Sequence, residues 1–350
     1  MAVTLKQVAE HAGVTQQTVS RAFQAPQRVK EATRQRIHAL ARDMGYRPNA
    51  AARSLRIGAR AGVGLMMGTP LQTRATVMLR SYVDLLNQLC SHCEQQDLNL
   101  LLGLMHEAIT PGHDLDSLPR VIEQAHVGPV VVLGHMWDEL AATLRTWKIP
   151  AIVIDGPACG LPAIQIDEPL SIQVLVDHFV ELGHQRIAFI NHSDARGINC
   201  TGGYRDTLWP QGYLEAMAKH GLPPYPGWDH YYDGEDFEKI MDRYFTKANS
   251  PTAMITYDDQ QLLWLIEVLR KRQLRVPEDV SLAAATDIGF TEATLTPITR
   301  MVRPNKAMAK LAVQWINENL TDYEPAKSAI KRLPAELTVG TTSAAPDPFV

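Results

Sequence analysis

The sequence predicts an α/β protein with a separate all-helical head, on three observations. Residues 4–23 hold two short helical patterns on either side of a glycine. Lys and Arg crowd the first sixty residues and thin out after them. From residue 61 onward, short apolar runs alternate with amphipathic segments, which is the pattern of parallel sheets covered by helices.

Thr4 opens TLKQ, a capping box with Gln7 three residues on. Leu5, Val8, Ala9 and Ala12 follow at i, i+3, i+4 and i+7, and Gly13 terminates the helix. Thr15 is the N-cap of a second helix, TQQTVSRAF, whose hydroxyl can accept an orphan first-turn amide. Val19, Ala22 and Phe23 share its inner face, and Gln16, Gln17 and Arg21 its outer one. A third helix is expected over Glu31–Met44, with Ile37, Leu40, Ala41 and Met44 at helical spacing and Gly45 at its end. The small core these three helices build is Leu5, Val8, Val19, Phe23, Ile37 and Leu40.

Two short helices around a tight turn form a helix-turn-helix, whose second helix enters the DNA major groove. Gln and Arg are the side chains that pair two-pronged with adenine and guanine edges. The bland alternative is a helical bundle without a nucleic-acid role, and charge weighs against it. Residues 1–60 hold 11 Lys and Arg against 3 Asp and Glu, while the other 290 residues hold 23 against 35. A basic head on an acidic chain suits phosphate contact by one end.

The segment GYRPNAAARSLRIG, Gly45 to Gly58, comes next. Pro48 bars the previous helix from continuing, and Asn49 can cap another. Ala50, Ala51 and Ala52 favour helix, and Arg53 and Arg56 supply phosphate charge. So short a helix is not stable alone and is expected to order on contact.

The remaining length suits one large or two medium domains. Strands are expected at Ala61–Met67, Asn99–Leu104, Val130–Gly134, Ala151–Asp155, Ala163–Asp167, Arg186–Asn191, Thr252–Tyr257 and Val280–Thr286. Helices are expected at Thr76–Gln95, Glu168–Leu182, Trp209–His220, Phe237–Ala248 and Gln260–Arg272. The turn Pro157–Pro162 and the segment Asp287–Thr291 are candidate crossings between two such layers. No apolar run reaches membrane-spanning length, and the capped helix leaves no room for a signal peptide, so a cytoplasmic protein is expected. Four cysteines make no disulfide framework. Cys90, His92 and Cys93 lie inside a helical pattern and read as structural rather than metal-binding. No metal or cofactor is expected. Nor is an enzyme, since no nucleophile elbow, phosphate loop or HExxH is present.

TLKQVAEHAGVTQQTVSRAF followed by GYRPNAAARSLRIG resembles the head of the lactose-repressor (LacI/GalR-type) family. ELGHQRIAFI, PTAMITYDD and RVPEDVSL resemble its core signatures in the correct order. The resemblance implies a head over residues 1–46, a hinge helix and linker over 47–60, and a periplasmic-binding-protein-like core over 61–350. The core would have two α/β lobes, about 61–160 with 291–320 and about 161–290 with 321–342. Three strands would cross between them, helix Asn305–Leu320 would return to the first lobe, and strand Leu333–Val339 to the second. It further implies a homodimer on a near-palindromic DNA operator, with a small molecule in the cleft. The expected function is sequence-specific transcription regulation, of repressor type, under allosteric control.

In the head, Gln16, Gln17 and Arg21 are expected to read bases, while Thr4, Thr15, Thr18 and Ser20 hold phosphates. The hinge residues implied are Asn49, Ala52, Arg53, Leu55 and Arg56, with Leu55 as a minor-groove wedge. The cleft positions carried over are Trp209, Tyr231, Asp258, Thr286, Asp287 and Arg303. Several depart from the family: Trp209 stands for an arginine, Thr286 for an aspartate and Arg303 for a glutamine. Trp209 can stack on a sugar ring, Asp258 can hold hydroxyls, and Arg303 can pair with a carboxylate or phosphate. Asp287–Gly289 and TQQTVSRAFQAPQRV are closer to the gluconate-repressor branch, so the effector expected is a sugar, sugar acid or sugar phosphate. The tail TTSAAPDPFV shows no heptad, so a helical tetramerisation tail is not expected. The rival readings are a cytoplasmic sugar-binding protein or enzyme with an accessory basic head, and a DNA binder without sequence preference.

Overall fold

The structure is a computed structural model of the 350-residue chain. It describes residues 5–24, 28–44, 62–67, 71–102, 127–134, 136–192, 204–227, 231–232, 237–245, 250–289, 295–320 and 329–346. The chain divides into two compact units, Met1–Ala61 and Gly62–Val350.

The first unit holds α1 (Leu5–Ala12), α2 (Gln16–Gln24) and α3 (Glu31–Asp43). Their apolar spacing places Val8, Ala9, Ala12, Val19, Ala22, Ile37 and Ala41 in one core. Leu5 and Leu40, expected at its centre, pack on it half-buried. The side chain of Phe23 lies outside the described residues.

The second unit contains two main sheets. The first runs β1 (Gly62–Met67), β2 (Asn99–Leu102), β3 (Val127–Leu133), β4 (Ala151–Ile154), β5 (Ala163–Ile166) and β12 (Ile330–Leu333), in the spatial order β12-β5-β4-β3-β1-β2. Every pair in it is parallel. The strand VGPVVVL is buried along its whole length, which is what a central parallel strand between two helical layers requires. It starts three residues earlier than its apolar run suggests. Pro129 has no N–H to give the ladder, and the register slips there by one residue between Gly62 and Gly64 of β1. The helices α4 (Leu71–Gln95) and α10 (Asn305–Glu318) cover one face, and α5 (Asp138–Thr146) the other.

The second sheet has the order β13-β11-β10-β9-β6, with β6 (Ile187–Phe189), β9 (Ala253–Thr256), β10 (Ser281–Ala284), β11 (Arg300–Val302) and β13 (Glu336–Thr338). Only β13 runs antiparallel. A small parallel pair, β7 (Asn191–His192) with β8 (Tyr231–Tyr232), stands apart. The helices α6 (Glu168–Glu181), α7 (Tyr204–Lys219), α8 (Phe237–Tyr244) and α9 (Asp259–Lys271) cover this sheet. Helices α6 and α7 meet closely because Gly212 has no side chain; a Cβ there would stand 2.4 Å from the Pro169 carbonyl oxygen.

The chain passes between the two sheets three times. The first passage is at Asp167, whose amide donates to the Leu333 carbonyl at 2.8 Å and whose carboxylate caps α6 through the Leu170 amide. Strand β5 therefore stays with the first sheet, a few residues beyond the expected boundary. The second passage is Arg303–Pro304, between β11 and α10. The third corrects an expectation. Leu333–Val339 is not one strand: Pro334–Ala335 break it into β12 and β13, which join opposite sheets. No helix among the described residues is long and apolar enough to cross a membrane.

Candidate functional site

In the head, the turn between α1 and α2 is a Schellman closure. Gly13 takes φ +61°, and the Val14 amide reaches back to the Ala9 carbonyl at 3.1 Å. Thr15 then caps α2, its hydroxyl accepting the Thr18 amide at 3.1 Å and lying 2.9 Å from the Thr18 hydroxyl. Gln16, Gln17 and Arg21 are exposed on the outer face of α2, while Val19 and Ala22 turn inward.

Ser20 departs from the expected row. It is 7 % exposed and sits beside Val19 on the buried side, so its hydroxyl is not presented outward. Helix α3 braces the pair. Arg36 donates to the Ala12 carbonyl at 3.1 Å, and His38 Nε2 lies 3.1 Å from the Ala22 carbonyl. Both carbonyls belong to helix C-terminal turns, where a basic side chain also meets the negative end of the dipole. Thr4, Asn49, Ala52, Arg53, Leu55 and Arg56 lie outside the described residues.

In the second unit, Asp155, Asp258, Thr286 and Asp287 follow the carboxyl ends of parallel strands, the usual place for ligands in such folds. Asp258 follows β9 and caps α9 by accepting the Gln261 amide at 2.7 Å. Thr286 and Asp287 follow β10, with Thr286 4 % exposed. Asp287 accepts from Arg300 Nε at 2.6 Å and from the Gly289 amide at 2.7 Å. Its carboxylate is thus held by the next strand of the same sheet.

Trp209 is placed differently from a ring-stacking cleft residue. It is fully buried in the second-lobe core, its indole N–H donating to Glu168 Oε2 at 2.5 Å and its ring centroid 4.5 Å from that of Tyr257. Trp209, Tyr213, Ala216 and Met217 form the buried stripe of α7 and join one core, so packing decides its direction. Tyr231 lies in β8 opposite Asn191, and its side chain is outside the described residues.

Arg303 is the most informative of the predicted residues. It is not free to meet an anion, because it is ion-paired through Nη2 with Asp155, and both side chains are almost wholly buried. Tyr82 donates to the same carboxylate oxygen at 3.0 Å, and its ring lies 5.3 Å from the guanidinium carbon. Asp155, Tyr82 and Gln165 were missed by sequence reasoning. Asp155 had a readable signal, since it is the polar residue ending the apolar run AIVID, at the carboxyl end of a parallel strand. It also holds φ +61°, which Asp tolerates better than most residues. The next residue, Gly156, accepts Gln165 Nε2 at 2.8 Å. A Cβ on Gly156 would stand 1.6 Å from the Gly134 carbonyl oxygen.

Cys93 is buried in the α4 helix, and burial pushes its thiol up to about 11. No group of three or more His, Cys, Asp and Glu among the described residues is arranged to hold a metal.

Comparison with known proteins follows the same division of the chain. Residues 4–49 match the bacterial regulatory proteins, lacI family, and residues 176–343 match the periplasmic binding protein-like domain. The transcriptional repressor PurR of Vibrio parahaemolyticus is 25% identical over 350 residues, covering 97% of this chain and 98% of that protein. The probable transcriptional repressor ExuR of Bacillus subtilis is 26% identical over 328 residues, covering 92% and 93%. Among solved structures, the Lac repressor dimer bound to operator and the anti-inducer ONPF has the same fold, with a TM-score of 0.71, 20% identity and coverage of 99% and 100%. The CelR–cellobiose complex does too, at 0.65, 22%, 97% and 100%. The helix-turn-helix head is thus that of the bacterial regulatory proteins, lacI family, joined to a periplasmic binding protein-like core, in a chain similar over nearly its whole length to transcriptional repressors.

Proposed function

We propose that the protein is a sequence-specific DNA-binding transcriptional regulator of repressor type, whose operator affinity is set by a small carbohydrate-derived effector held between the two lobes. The observation that carries the reading is the exposed row Gln16, Gln17 and Arg21 on a capped second helix braced by α3. Relatives named as repressors match the chain over nearly its whole length. Gln16, Gln17 and Arg21 read base edges, and Thr15 and Thr18 hold phosphates. Residues 47–60 form the hinge, with Asn49, Ala52, Arg53 and Arg56 along the backbone and Leu55 in the minor groove. The working unit is a homodimer on a near-palindromic site in the cytoplasm. The Lac repressor was solved as a dimer on its operator, which supports that assembly.

Control works by linkage. Operator and effector bind separate sites, and each changes the other's affinity through a coupling of typically about 1–3 kcal/mol. Asp258 at the end of β9 and the passage around Arg303 are the effector-facing positions. CelR, solved with cellobiose, supports a sugar-class effector. The reading is of a regulator, not an enzyme.

The test is selection of a binding site from random duplexes, followed by gel shift at several salt concentrations. A recovered near-palindrome bound in preference to random DNA, with affinity falling steeply as salt rises, is the expected result. Equal affinity for random DNA at every salt concentration removes the sequence-specific regulator. Turnover of a sugar substrate would instead support an enzyme with an accessory head.

A further inference from the structure

Arg303, Asp155 and Gln165 meet around one turn. Arg303 spends Nη2 on Asp155, and Gln165 spends Nε2 on the carbonyl of Gly156, the very next residue. Among the described residues, two atoms of this group are buried without a hydrogen-bond partner: Arg303 Nε and Gln165 Oε1. One is a donor and the other an acceptor. Gln165 is 3 % exposed and Arg303 6 %, so neither atom can turn outward to bulk water without moving its residue.

We infer that Asp155 is the residue that sets the charge class of the ligand. By neutralising Arg303 inside the protein, it makes this part of the cleft electrically neutral. The capacity left over, one donor and one acceptor beside the Asp155–Gly156 turn, fits a hydroxyl of an uncharged polyol. A hydroxyl donates and accepts at once, so hydroxyls can serve both the orphan donor and the orphan acceptor without adding charge. A carboxylate or phosphate accepts only. It would leave Gln165 Oε1 unmet and bring a second negative charge beside Asp155 in a site shielded from water. This inference rests on the effector-cleft reading and narrows the ligand within it, against the sugar acid and sugar phosphate that Arg303 suggests in the sequence alone.

The test uses thermal shift of the full chain with glucose, galactose, maltose, cellobiose, sorbitol and myo-inositol, and with gluconate and glucose 6-phosphate. Wild type should be shifted by at least one neutral compound and by neither anion. Asp155→Asn frees the guanidinium, and that variant should gain a response to gluconate or glucose 6-phosphate that fades as NaCl is added. Asp155→Asn with Arg303→Gln should lose the gained response. Gln165→Leu should weaken the neutral ligand about tenfold, the usual effect of removing a partner from a buried hydroxyl. A wild-type shift with either anion overturns the inference, and so does silence toward every neutral compound. Both outcomes need only the wild type, so poor folding of Asp155→Asn does not rescue it. Gel shift without ligand, run in parallel, separates this failure from that of the regulator itself: lost operator binding strikes the latter alone.

Discussion

His184 Nε2 lies 2.8 Å from the carbonyl oxygen of Ala344, so a histidine after α6 grips the chain 160 residues further on. Its other ring nitrogen is 3.0 Å from the Thr252 hydroxyl. Neighbouring contacts complete a strap over the second lobe. His178 Nε2 is 3.0 Å from the Ser343 hydroxyl, and Thr342 donates to the Leu282 carbonyl at 2.8 Å. Ser281 donates to Ala344 at 2.9 Å.

That strap should loosen in acid. Burial holds both His184 and His178 below the ordinary 6.5, while the Ala344 carbonyl partly opposes this at His184 and Glu181 at His178. With the folded value lowered, the stabilisation is complete above 6.5. It is lost as the pH falls from 6.5 through the folded values, where the unfolded chain takes up protons first, and it stops changing below them. Melting temperature should therefore decline from pH 7 toward pH 5. His184→Gln should melt lower at pH 8 and show a shallower decline. An identical slope in that variant would assign the acid sensitivity elsewhere.

Arg21→Ala and Leu55→Ala should separate reading from bending. Arg21→Ala removes an exposed base-reading candidate on α2, costing about 1–3 kcal/mol at one operator position and relaxing the preference there. Leu55→Ala should weaken the specific site much more than random DNA, because a wedge acts only in the bent complex. Competition binding at one fixed salt concentration reads both. Equal loss on operator and random DNA for Leu55→Ala removes the wedge role.

Arg36→Met tests the brace under the motif. Arg36 touches no expected base contact, yet it satisfies the last carbonyl of α1. Losing that bond should cost the head about 1 kcal/mol. Limited proteolysis should cut the head faster, with operator and random DNA weakened in equal proportion. A selective loss on operator would mean that Arg36 reads sequence.

Gly156→Ala should be among the most damaging single-methyl additions to the core unit. The new Cβ would meet a backbone carbonyl, which cannot rotate away as a side chain can. A cost of at least about 3 kcal/mol is expected from such overpacking. Chemical denaturation measures it. A change under 1 kcal/mol, on the scale of a tolerated core swap, would show that the β3 and β4 ends can part easily.

What could be read from the sequence was whatever local physics controls. The cap at Thr15, the stop at Gly13 and the apolar runs of the parallel strands all announce themselves within a few residues. Direction and pairing did not. Trp209 looks like a ring for a ligand, but the stripe of α7 turns it to Glu168, 41 residues away. Arg303 looks like an anion receptor until Asp155, 148 residues earlier, takes its charge. Ser20 shares a polar string with Gln16 and Gln17, but the curvature of one short helix carries it inward. The break at Pro334 was visible as a residue, though not as a change of sheet.

The split between β12 and β13 has a consequence for synthesis. Strand β12 completes one edge of the first sheet and β13 completes one edge of the second, and only Pro334 and Ala335 separate them. Neither sheet can be finished until residues 330–338 have left the ribosome. Until then, β5 and β11 each carry an unpaired row of amides and carbonyls, the kind of edge that recruits other chains. A nascent chain stalled before residue 330 would thus expose two sticky edges at once, and the addition of nine residues would close both.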